Sequence, residues 1–446
     1  MTTPNRAWGH LTPVGKVLIP LLFLLLVVAP VLTILLVTIV VPWLIDVLNS
    51  NLGIVRFVVA IGGVLLFSIP AAFIIIYMEL KVIAFMNLRV GPNRIGPGGA
   101  LMSVVHGLKV LTKEDFTPTG ADGIVFTWAP VIVFLTAVMT FLVIPFGPGL
   151  VGQDLNIGLL YLFAVGGMSV IGLMLAGWAS FNKYSLLGGL RAAAQMVSYE
   201  IPLTLSVVGL ILLAGTMSLN QIAEAQAGWF TDWYVFRQPL GALIFFIAAT
   251  AEANRTPFDM AEADSEIVAG FATEYSGMRF GFLFFAEYVN VFIISALMVT
   301  LFFGSWNAPF PFPEITLALD PASLGIGLPI LLLAVPVVLT LVFAAPFYLA
   351  RSSRPAWQAL LLGFVAFNLV GFAALGLLAY IGWPWLAGLV WFMLKSFGFV
   401  YVFVWMRGTF PRVRIDQLMG FAWKWLLPAA LLNLFVTAAA IIIVKS

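Results

Sequence analysis

The sequence predicts an all-α polytopic membrane protein with about eleven transmembrane helices and long cytoplasmic loops. Of its 446 residues, 62% are hydrophobic and only 9% are charged, and the mean hydropathy is +1.10. Soluble domains contain roughly 45 to 50% apolar and about 25% charged residues. A chain of this composition is therefore adapted to lipid and is not a soluble domain.

Eleven apolar stretches are long enough to cross a hydrocarbon core, which requires roughly 20 residues per helix. They are continuously apolar and lack the alternation of a barrel strand, so helices are predicted throughout. The first follows a short polar segment with no small-residue cleavage pattern, which indicates an anchor and not a removable signal. The stretches comprise residues 17–45, 56–80, 124–145, 158–180, 201–217, 238–254, 281–303, 325–349, 357–381, 385–406 and 424–444.

The basic residues predict the orientation of these spans. With the N-terminus inside and strict alternation, seventeen of the 21 Lys and Arg residues fall inside and three fall outside, while Lys395 lies within a helix. The positive-inside rule then places the C-terminus outside. The chain is interpreted as one membrane domain, 1–446, with long cytoplasmic loops at 81–123, 181–200 and 255–280.

Composition also excludes several kinds of site. Cysteine is absent and His10 and His106 are the only histidines, so ligands for zinc, a cysteine-held iron–sulfur cluster or a bis-histidine haem are missing. Any redox centre must come from a partner or a substrate. The net charge of +2, spread over short loops, gives no nucleic-acid surface.

Acidic residues are concentrated where a cytoplasmic loop would normally be basic. Seven of the 19 acids lie between residues 252 and 287, against only Arg255 and Arg279. A charge at Glu252 or Glu287, close to or within spans, costs about 2.5 to 3.5 kcal/mol in lipid, so each must be neutral, paired or hydrated. The seven are Glu252, Asp259, Glu262, Asp264, Glu266, Glu274 and Glu287.

Coupled carboxyl groups of this kind can pass protons through water, which indicates a relay. Thr256 and Pro257 predict a helix start, after which Glu262 and Glu266 share one face. The alternative is that these acids only solvate a loop and cap helices. Glu200, at the predicted start of a span, either joins the relay or is a helix N-terminal carboxylate stabilised by the dipole.

Two further loops are candidates for a cavity border. Residues 79–99 end a helix in a glycine- and proline-rich loop, which is not a nucleotide-binding loop because no strand precedes it; a generic turn is the alternative. Residues 100–113 are predicted to lie in the membrane interface. The basic loop 407–417 supplies cations at a cavity mouth or subunit interface, or serves only as a topological anchor.

Taken in order, these stretches resemble the quinone-chamber membrane subunit of respiratory complex I, NADH:quinone oxidoreductase, over most of residues 56–306 and 385–430. The similar segments are Gly91–Arg94, Gly177–Ser180 and Ser198–Glu200, with residues 251–288 matching an acid-rich loop almost position for position. The resemblance implies a subunit without a cofactor of its own. It implies a tunnel that admits ubiquinone or menaquinone from the bilayer to a peripheral iron–sulfur subunit.

The resemblance also implies partners, location and residue roles. Iron–sulfur clusters and flavin belong to partner subunits, small membrane subunits and antiporter-like pumping subunits lie adjacent, and the location is the bacterial plasma membrane. Enzyme activity belongs to the whole proton-translocating oxidoreductase. The implied relay residues are Glu200, Glu252, Asp259, Glu262, Asp264, Glu266 and Glu287. Those implied at the quinone chamber or its rim are Glu79, Phe85, Arg89, Arg255, Phe258 and Arg414.

The sequence departs from the family pattern at several positions, namely Leu80, Asn87, Met102, His106 and Asp264. His106 stands where the family often has an acid, which places a titratable base near the predicted path. Residues 1–55 add an N-terminal helix and 314–381 add a helix pair. The family core occupies 56–313, and its last two helices occupy 382–446.

Three other functions fit parts of the sequence. A membrane subunit of an energy-converting hydrogenase has similar loops but no quinone to reduce. A stand-alone proton or cation transporter commonly shows two similar halves with interrupted helices, and no such halves are visible. A passive anchor for a peripheral enzyme leaves the clustered acids unexplained.

Overall fold

The structure, a computed structural model, describes residues 53–260, 269–309 and 384–445, and these residues fold into helices. The longer elements are joined by short 3-10 turns. In chain order the helices are α1 Gly53–Met86, α2 Met102–Leu111, α3 Gly123–Thr140, α4 Gly158–Ala179, α5 Lys183–Ala214, α6 Leu219–Glu224, α7 Tyr234–Arg237, α8 Pro239–Glu252, α9 Gly277–Phe302, α10 Pro384–Thr409, α11 Ile415–Phe421 and α12 Leu427–Lys445.

Seven helical segments in this part of the chain are long and apolar enough to cross a membrane, which confirms the polytopic all-α class. They are Ile61–Met86, Gly123–Val143, Gly158–Ala179, Lys183–Ala214, Gly277–Phe302, Gly388–Thr409 and Ile415–Ile443. The span predicted at 238–254 is α8, which has only 14 residues. The spans predicted at 17–45, 325–349 and 357–381 lie outside the described residues, so the count of eleven and the orientation stay predictions.

The loop predicted at 181–200 is wrong, because α5 already begins at Lys183. Asn182 caps this helix, its side-chain oxygen accepting a hydrogen bond from the Tyr184 amide at 2.9 Å. The alanine-rich stretch 191–195 has high helix propensity. Its polar residues lower the mean hydropathy, so the stretch does not qualify as an apolar span. The segment 100–113, predicted to lie in the membrane interface, contains helix α2, and its place at the membrane surface stays a prediction.

The helix start predicted at Pro257 is also wrong, since residues 253–260 form a loop. Asn254 takes a left-handed backbone conformation (φ 50°) directly after α8 ends. The buried Gln195 side chain of α5 donates hydrogen bonds to the Ala251 and Phe258 carbonyls, each at 2.7 Å. These bonds hold the backbone away from helical geometry.

Helix α9 lies at the centre of the described bundle. Of its most apolar window, 72% is buried, against 22 to 50% for the other six candidate spans. It packs against α1, α3 and α10, while α5 packs against α4, α8 and α12. Glycines permit the closest crossings: a Cβ on Gly188 of α5 would lie 2.6 Å from the Gly270 Cα. The loop that precedes α9 therefore packs directly on α5.

Candidate functional site

A buried network of charges joins four segments at one end of the bundle. Arg255, in the loop after α8, donates from Nη1 to Glu79 Oε2 of α1 at 3.1 Å. Its Nη2 lies 3.1 Å from Glu287 Oε1 of α9. Arg407 of α10 donates from Nη1 to Glu79 Oε1 at 2.6 Å. We call these four residues the arginine cluster.

The arginine cluster is held in an apolar environment. Arg255 is 4% exposed and Glu79 is 9% exposed. The guanidinium carbon of Arg255 also lies 4.4 Å from the centre of the Tyr288 ring, a cation–π distance. Burial alone lowers the pKa of Arg255, but the Glu287 and Glu79 carboxylates outweigh it and hold that pKa above its ordinary value. The guanidinium is thus a permanent positive charge between two carboxyl groups.

A second ion pair fastens the loop 253–260 to the segment between α10 and α11. Arg412 Nη2 donates to Asp259 Oδ2 at 3.2 Å, and the carboxylate is buried while the arginine is partly exposed. The Val413 amide donates to the Pro257 carbonyl at 3.1 Å. The loop is therefore fixed on both sides, by Gln195 of α5 and by residues 412–413.

Glu252 and Glu200 form a different kind of acidic pair. Glu252 is the last residue of α8 and Glu200 lies in α5, and both carboxyl groups approach α4. Each approaches one of two consecutive glycines of α4: a Cβ on Gly166 would lie 3.8 Å from Glu252 Oε1, and one on Gly167 would lie 3.4 Å from Glu200 Oε1. Among the ion pairs of the described segments, none includes either acid.

Glu200 lies well inside α5, 17 residues beyond its first residue Lys183. The interpretation of Glu200 as a helix N-terminal carboxylate is therefore wrong, because the dipole acts only in the first turn. Its neighbour Tyr199 points to the other side of the helix, where its hydroxyl donates to the Leu418 carbonyl at 3.0 Å. Glu200 instead faces α4.

A cavity of about 60 Å³ is bordered by one member of the acidic pair and one member of the arginine cluster. It is bordered by both Glu252 and Glu287, and its other polar residues are Thr136, Thr140, Ser169, Asn254 and Asn290. One water molecule needs roughly 10 to 15 Å³ measured in this way, so the cavity has room for a few. Carboxyl groups from α8 and α9 therefore share one polar space inside the bundle.

The structure brings together some of the predicted residues and separates others. Glu79 and Arg255, predicted at the quinone chamber, lie in the arginine cluster beside Glu287. Phe258 packs on Tyr199 with ring centres 5.7 Å apart. Phe85 and Arg89 are exposed at and just beyond the end of α1, and Arg414 is exposed before α11. The acids Glu262, Asp264 and Glu266 lie outside the described residues.

Sequence reasoning missed three contributors to this site. Arg407 was interpreted as a loop cation or topological anchor, yet it binds Glu79 from within α10. Tyr288 contacts Arg255 through its ring, and the only signal of this in the sequence is that Tyr288 directly follows Glu287. For Gln195, the only signal in the sequence was its position after a run of alanines. Its three hydrogen bonds to residues 251–258 are seen only in the structure.

Comparison with known proteins decides the family. The sequence model of the NADH dehydrogenase family matches residues 58–438. The chain belongs to the NADH dehydrogenase family. This family member is 42% identical over 377 residues to an H-type subunit of the NADH-quinone oxidoreductase of Solibacter usitatus, covering 81% of the chain and 90% of the relative.

Other relatives of this NADH dehydrogenase family member have the same description. The H-type NADH-quinone oxidoreductase subunit of Bacillus mycoides is 44% identical over 364 residues, 81% of the chain and 87% of the relative. The corresponding subunit of Carboxydothermus hydrogenoformans is 40% identical over 379 residues, 85% of the chain and 87% of the relative. The matches therefore span most of both partners in each comparison.

Proposed function

We propose that this protein is the membrane subunit of a proton-pumping NADH:quinone oxidoreductase that couples quinone reduction to proton movement. Membership in the family and the NADH-quinone oxidoreductase relatives support the complex. The observation that carries the coupling role is the cavity bordered by both Glu252 and Glu287, of which Glu287 also belongs to the arginine cluster.

The two halves of this arrangement have different electrostatics. Glu252 and Glu200 have no cation partner among the described residues, and an unpaired carboxyl group within a membrane is stable when protonated or hydrated. Glu287, by contrast, is paired with Arg255 at 3.1 Å. A proton passing through waters in the cavity would therefore move between a carboxyl group without a cation partner and a carboxyl group paired with an arginine.

Arg255 connects Glu287, its ion-pair partner, to the region where the quinone is expected to bind. It lies in the loop 253–260, which Gln195 and Arg412 hold in place, and the same loop contains Asp259. Reduction of a quinone to a quinol consumes two electrons and two protons. We propose that carboxyl groups near this loop supply those protons and become anionic, and that this charge change alters how Arg255 divides between Glu79 and Glu287 and so changes the affinity of Glu287 for a proton.

The quinone chamber and its partners complete the proposal. Phe85, Leu88 and Arg89 project from the end of α1, with Leu88 95% exposed and in a left-handed backbone conformation (φ 55°). Such an exposed apolar end on a membrane helix fits contact with a peripheral subunit. We propose that this partner supplies the iron–sulfur cluster that reduces the quinone. We also propose that pumping subunits lie beside the bundle and that the complex resides in the plasma membrane.

Among the alternatives, a hydrogenase subunit, a stand-alone transporter and a passive anchor have less support. The relatives from Solibacter, Carboxydothermus and Bacillus carry the description of an NADH-quinone oxidoreductase subunit, which favours the respiratory function. A passive anchor does not require carboxyl groups from two helices around one cavity.

The test is Glu252→Gln in the assembled oxidoreductase. We expect quinone-dependent NADH oxidation to fall at least about tenfold, because a glutamine amide cannot accept and release the proton. Electron transfer from NADH to an artificial hydrophilic acceptor, which bypasses this subunit, is expected to be unchanged. The matched control is Glu224→Gln, since Glu224 is exposed and hydrogen-bonded only to Asn220 of the same helix among the residues described.

Proton movement is measured in the same preparation, reconstituted into vesicles with a pH-sensitive dye. A Glu252→Gln enzyme that reduces quinone and acidifies vesicles at the rate of the Glu224→Gln control would exclude Glu252 from the coupling path. Loss of electron transfer to the hydrophilic acceptor as well would indicate faulty assembly, and Glu287→Gln then tests the same cavity from α9.

A further inference from the structure

Lys395 is the basic residue that the charge sorting left inside a span, and the structure gives it an unusual environment. Its Nζ donates to three backbone carbonyls beyond the end of α9: Phe303 at 2.8 Å, Ser305 at 2.9 Å and Asn307 at 2.6 Å. An ammonium group has three N–H donors, so each one is used. We call Lys395 with these carbonyls the lysine cage.

The charge of Lys395 is stabilised by dipoles. Its Nζ lies 4.3 Å from the centre of the Trp233 ring, within cation–π distance. None of the ion pairs found among the described residues includes Lys395. Carbonyl oxygens and an indole face therefore take the place of a carboxylate, and neither of these groups changes its charge.

A tight turn builds the cage. Gly304 (φ 71°) and Ser305 (φ 43°) are consecutive left-handed residues after α9. The Ser305 amide donates back to the Val299 carbonyl at 3.0 Å, and the Gly304 amide donates to Gln226 Oε1 at 3.0 Å. A Cβ on Gly304 would overlap the Trp233 indole. The turn thus directs three carbonyls at one point, and the ammonium occupies it.

The cage joins α9 to α10, and the arginine cluster joins the same two helices through Glu287 near the middle of α9 and Arg407 of α10. Helix α9 carries Glu287, and α10 carries both Lys395 and Arg407, which are 12 residues or about 18 Å apart along the helix. Between the two sites, Phe292 contacts Phe397 with ring centres 5.6 Å apart. Without the cation, three carbonyls at the negative end of the α9 dipole would lose their donor.

We propose that Lys395 is a positioning residue: its ammonium fixes the end of α9 against α10 and thereby sets where Glu287 lies in the cavity. This inference rests on the proposed relay through Glu287. The chemistry required at the site is a compact monovalent cation with three donors, which the chain supplies from its own lysine. Lys395 acts through α9 and has no contact with quinone in this scheme.

The first test is Lys395→Met in the assembled oxidoreductase, with Lys424→Met, an exposed lysine, as the matched control. We expect kcat for quinone-dependent NADH oxidation to fall about fivefold with the quinone KM unchanged, because the relay is displaced while the quinone site is intact. Electron transfer to the hydrophilic acceptor is expected to stay at the control level. A kcat equal to that of Lys424→Met would overturn the proposal.

Chemical rescue separates charge from packing. Lys395→Ala is assayed with n-propylammonium or 1-propanol, which have similar size but differ in charge. Recovery of kcat with n-propylammonium alone supports the proposal, whereas equal responses to both compounds overturn it. If neither variant assembles, Lys395→Arg is examined on native gels: assembly supports a requirement for a cation there, and failure of this cationic variant overturns it.

The outcomes also separate this inference from the proposed function. Normal turnover in Lys395→Met together with loss in Glu252→Gln removes the positioning role and leaves the relay standing. Normal turnover in both variants removes the relay itself, and the positioning role with it.

Discussion

The arginine cluster holds its cations near the middle of α9, and the lysine cage holds its cation just beyond the end of α9, by opposite means. In the cluster, Arg255 and Arg407 face carboxyl groups, Glu79 and Glu287, which gain or lose a charge with a proton. In the cage, Lys395 faces three backbone carbonyls, which cannot titrate. The first arrangement surrounds its cations with groups that titrate, and the second surrounds its cation with groups that do not.

This difference indicates which part of α9 is expected to respond when a proton is transferred. The cavity that holds Glu252 and Glu287 adjoins the cluster, so a proton arriving there changes the electrostatics of Arg255 directly. The cage is tied to Gln226 and Trp233, and no carboxyl group pairs with its ammonium in the described segments. A helix held firmly beyond its last residue and by a titratable pair near its middle can transmit a change in charge.

Removing Arg255 has the largest expected effect. Arg255→Met leaves Glu79 and Glu287 without their shared partner in a buried site, and breaking a buried ion pair costs about 3 to 5 kcal/mol. We expect much less assembled complex on native gels and faster loss on heating. Arg237→Met is the control, because its ion pair with Asp232 at 3.4 Å is exposed. Equal heat stability of the two variants would contradict a buried, counter-ion role for Arg255.

Removing Arg407 is expected to have a moderate effect. Arg407→Met leaves Glu79 bound to Arg255, and the Arg407 side chain is 31% exposed, so the expected cost is about 1 to 2 kcal/mol. Heat stability of the assembled complex should therefore fall between those of Arg255→Met and Arg237→Met. A loss as large as that of Arg255→Met would show that the two arginines hold Glu79 as one unit.

Removing Arg412 is expected to have the smallest effect on stability. Its ion pair with Asp259 at 3.2 Å involves a side chain that is 40% exposed, and such pairs contribute less than about 1 kcal/mol. The loop 253–260 keeps its Gln195 hydrogen bonds in Arg412→Met. We expect heat stability within error of the parent complex, and a clear decrease would move this pair into the same class as the arginine cluster.

Local sequence signals predicted the spans and the unpaired acids, because both depend on composition within a short window. Glu252 and Glu287 were found from acidic charges that violate the usual sorting, whereas the role of Arg255 was implied by the family resemblance. The contact between Glu79 and Arg407 was not found, because 328 positions separate the two residues in the chain. The loop 253–260 was mistaken for a helix start because its geometry depends on Gln195, which is 56 positions from Ala251.

The amphipathic part of α5 shows the same limit from another direction. Residues 183–200 are too polar for a hydropathy scan, and they form helix because Asn182 caps them and α4 and α8 pack against them. The position of Glu200 inside that helix followed from this packing. The acids Glu262, Asp264 and Glu266 lie outside the described residues, and their part in a relay stays a prediction from sequence.

The central claim is that Glu252 and Glu287 exchange protons when quinone is reduced. Infrared difference spectra of the assembled oxidoreductase, recorded on adding NADH in the presence of quinone, measure protonated carboxyl groups directly. We predict a carboxylic acid band that is lost or shifted in Glu252→Gln and in Glu287→Gln and is retained in Glu224→Gln. An identical carboxyl band in all three variants would contradict the claim.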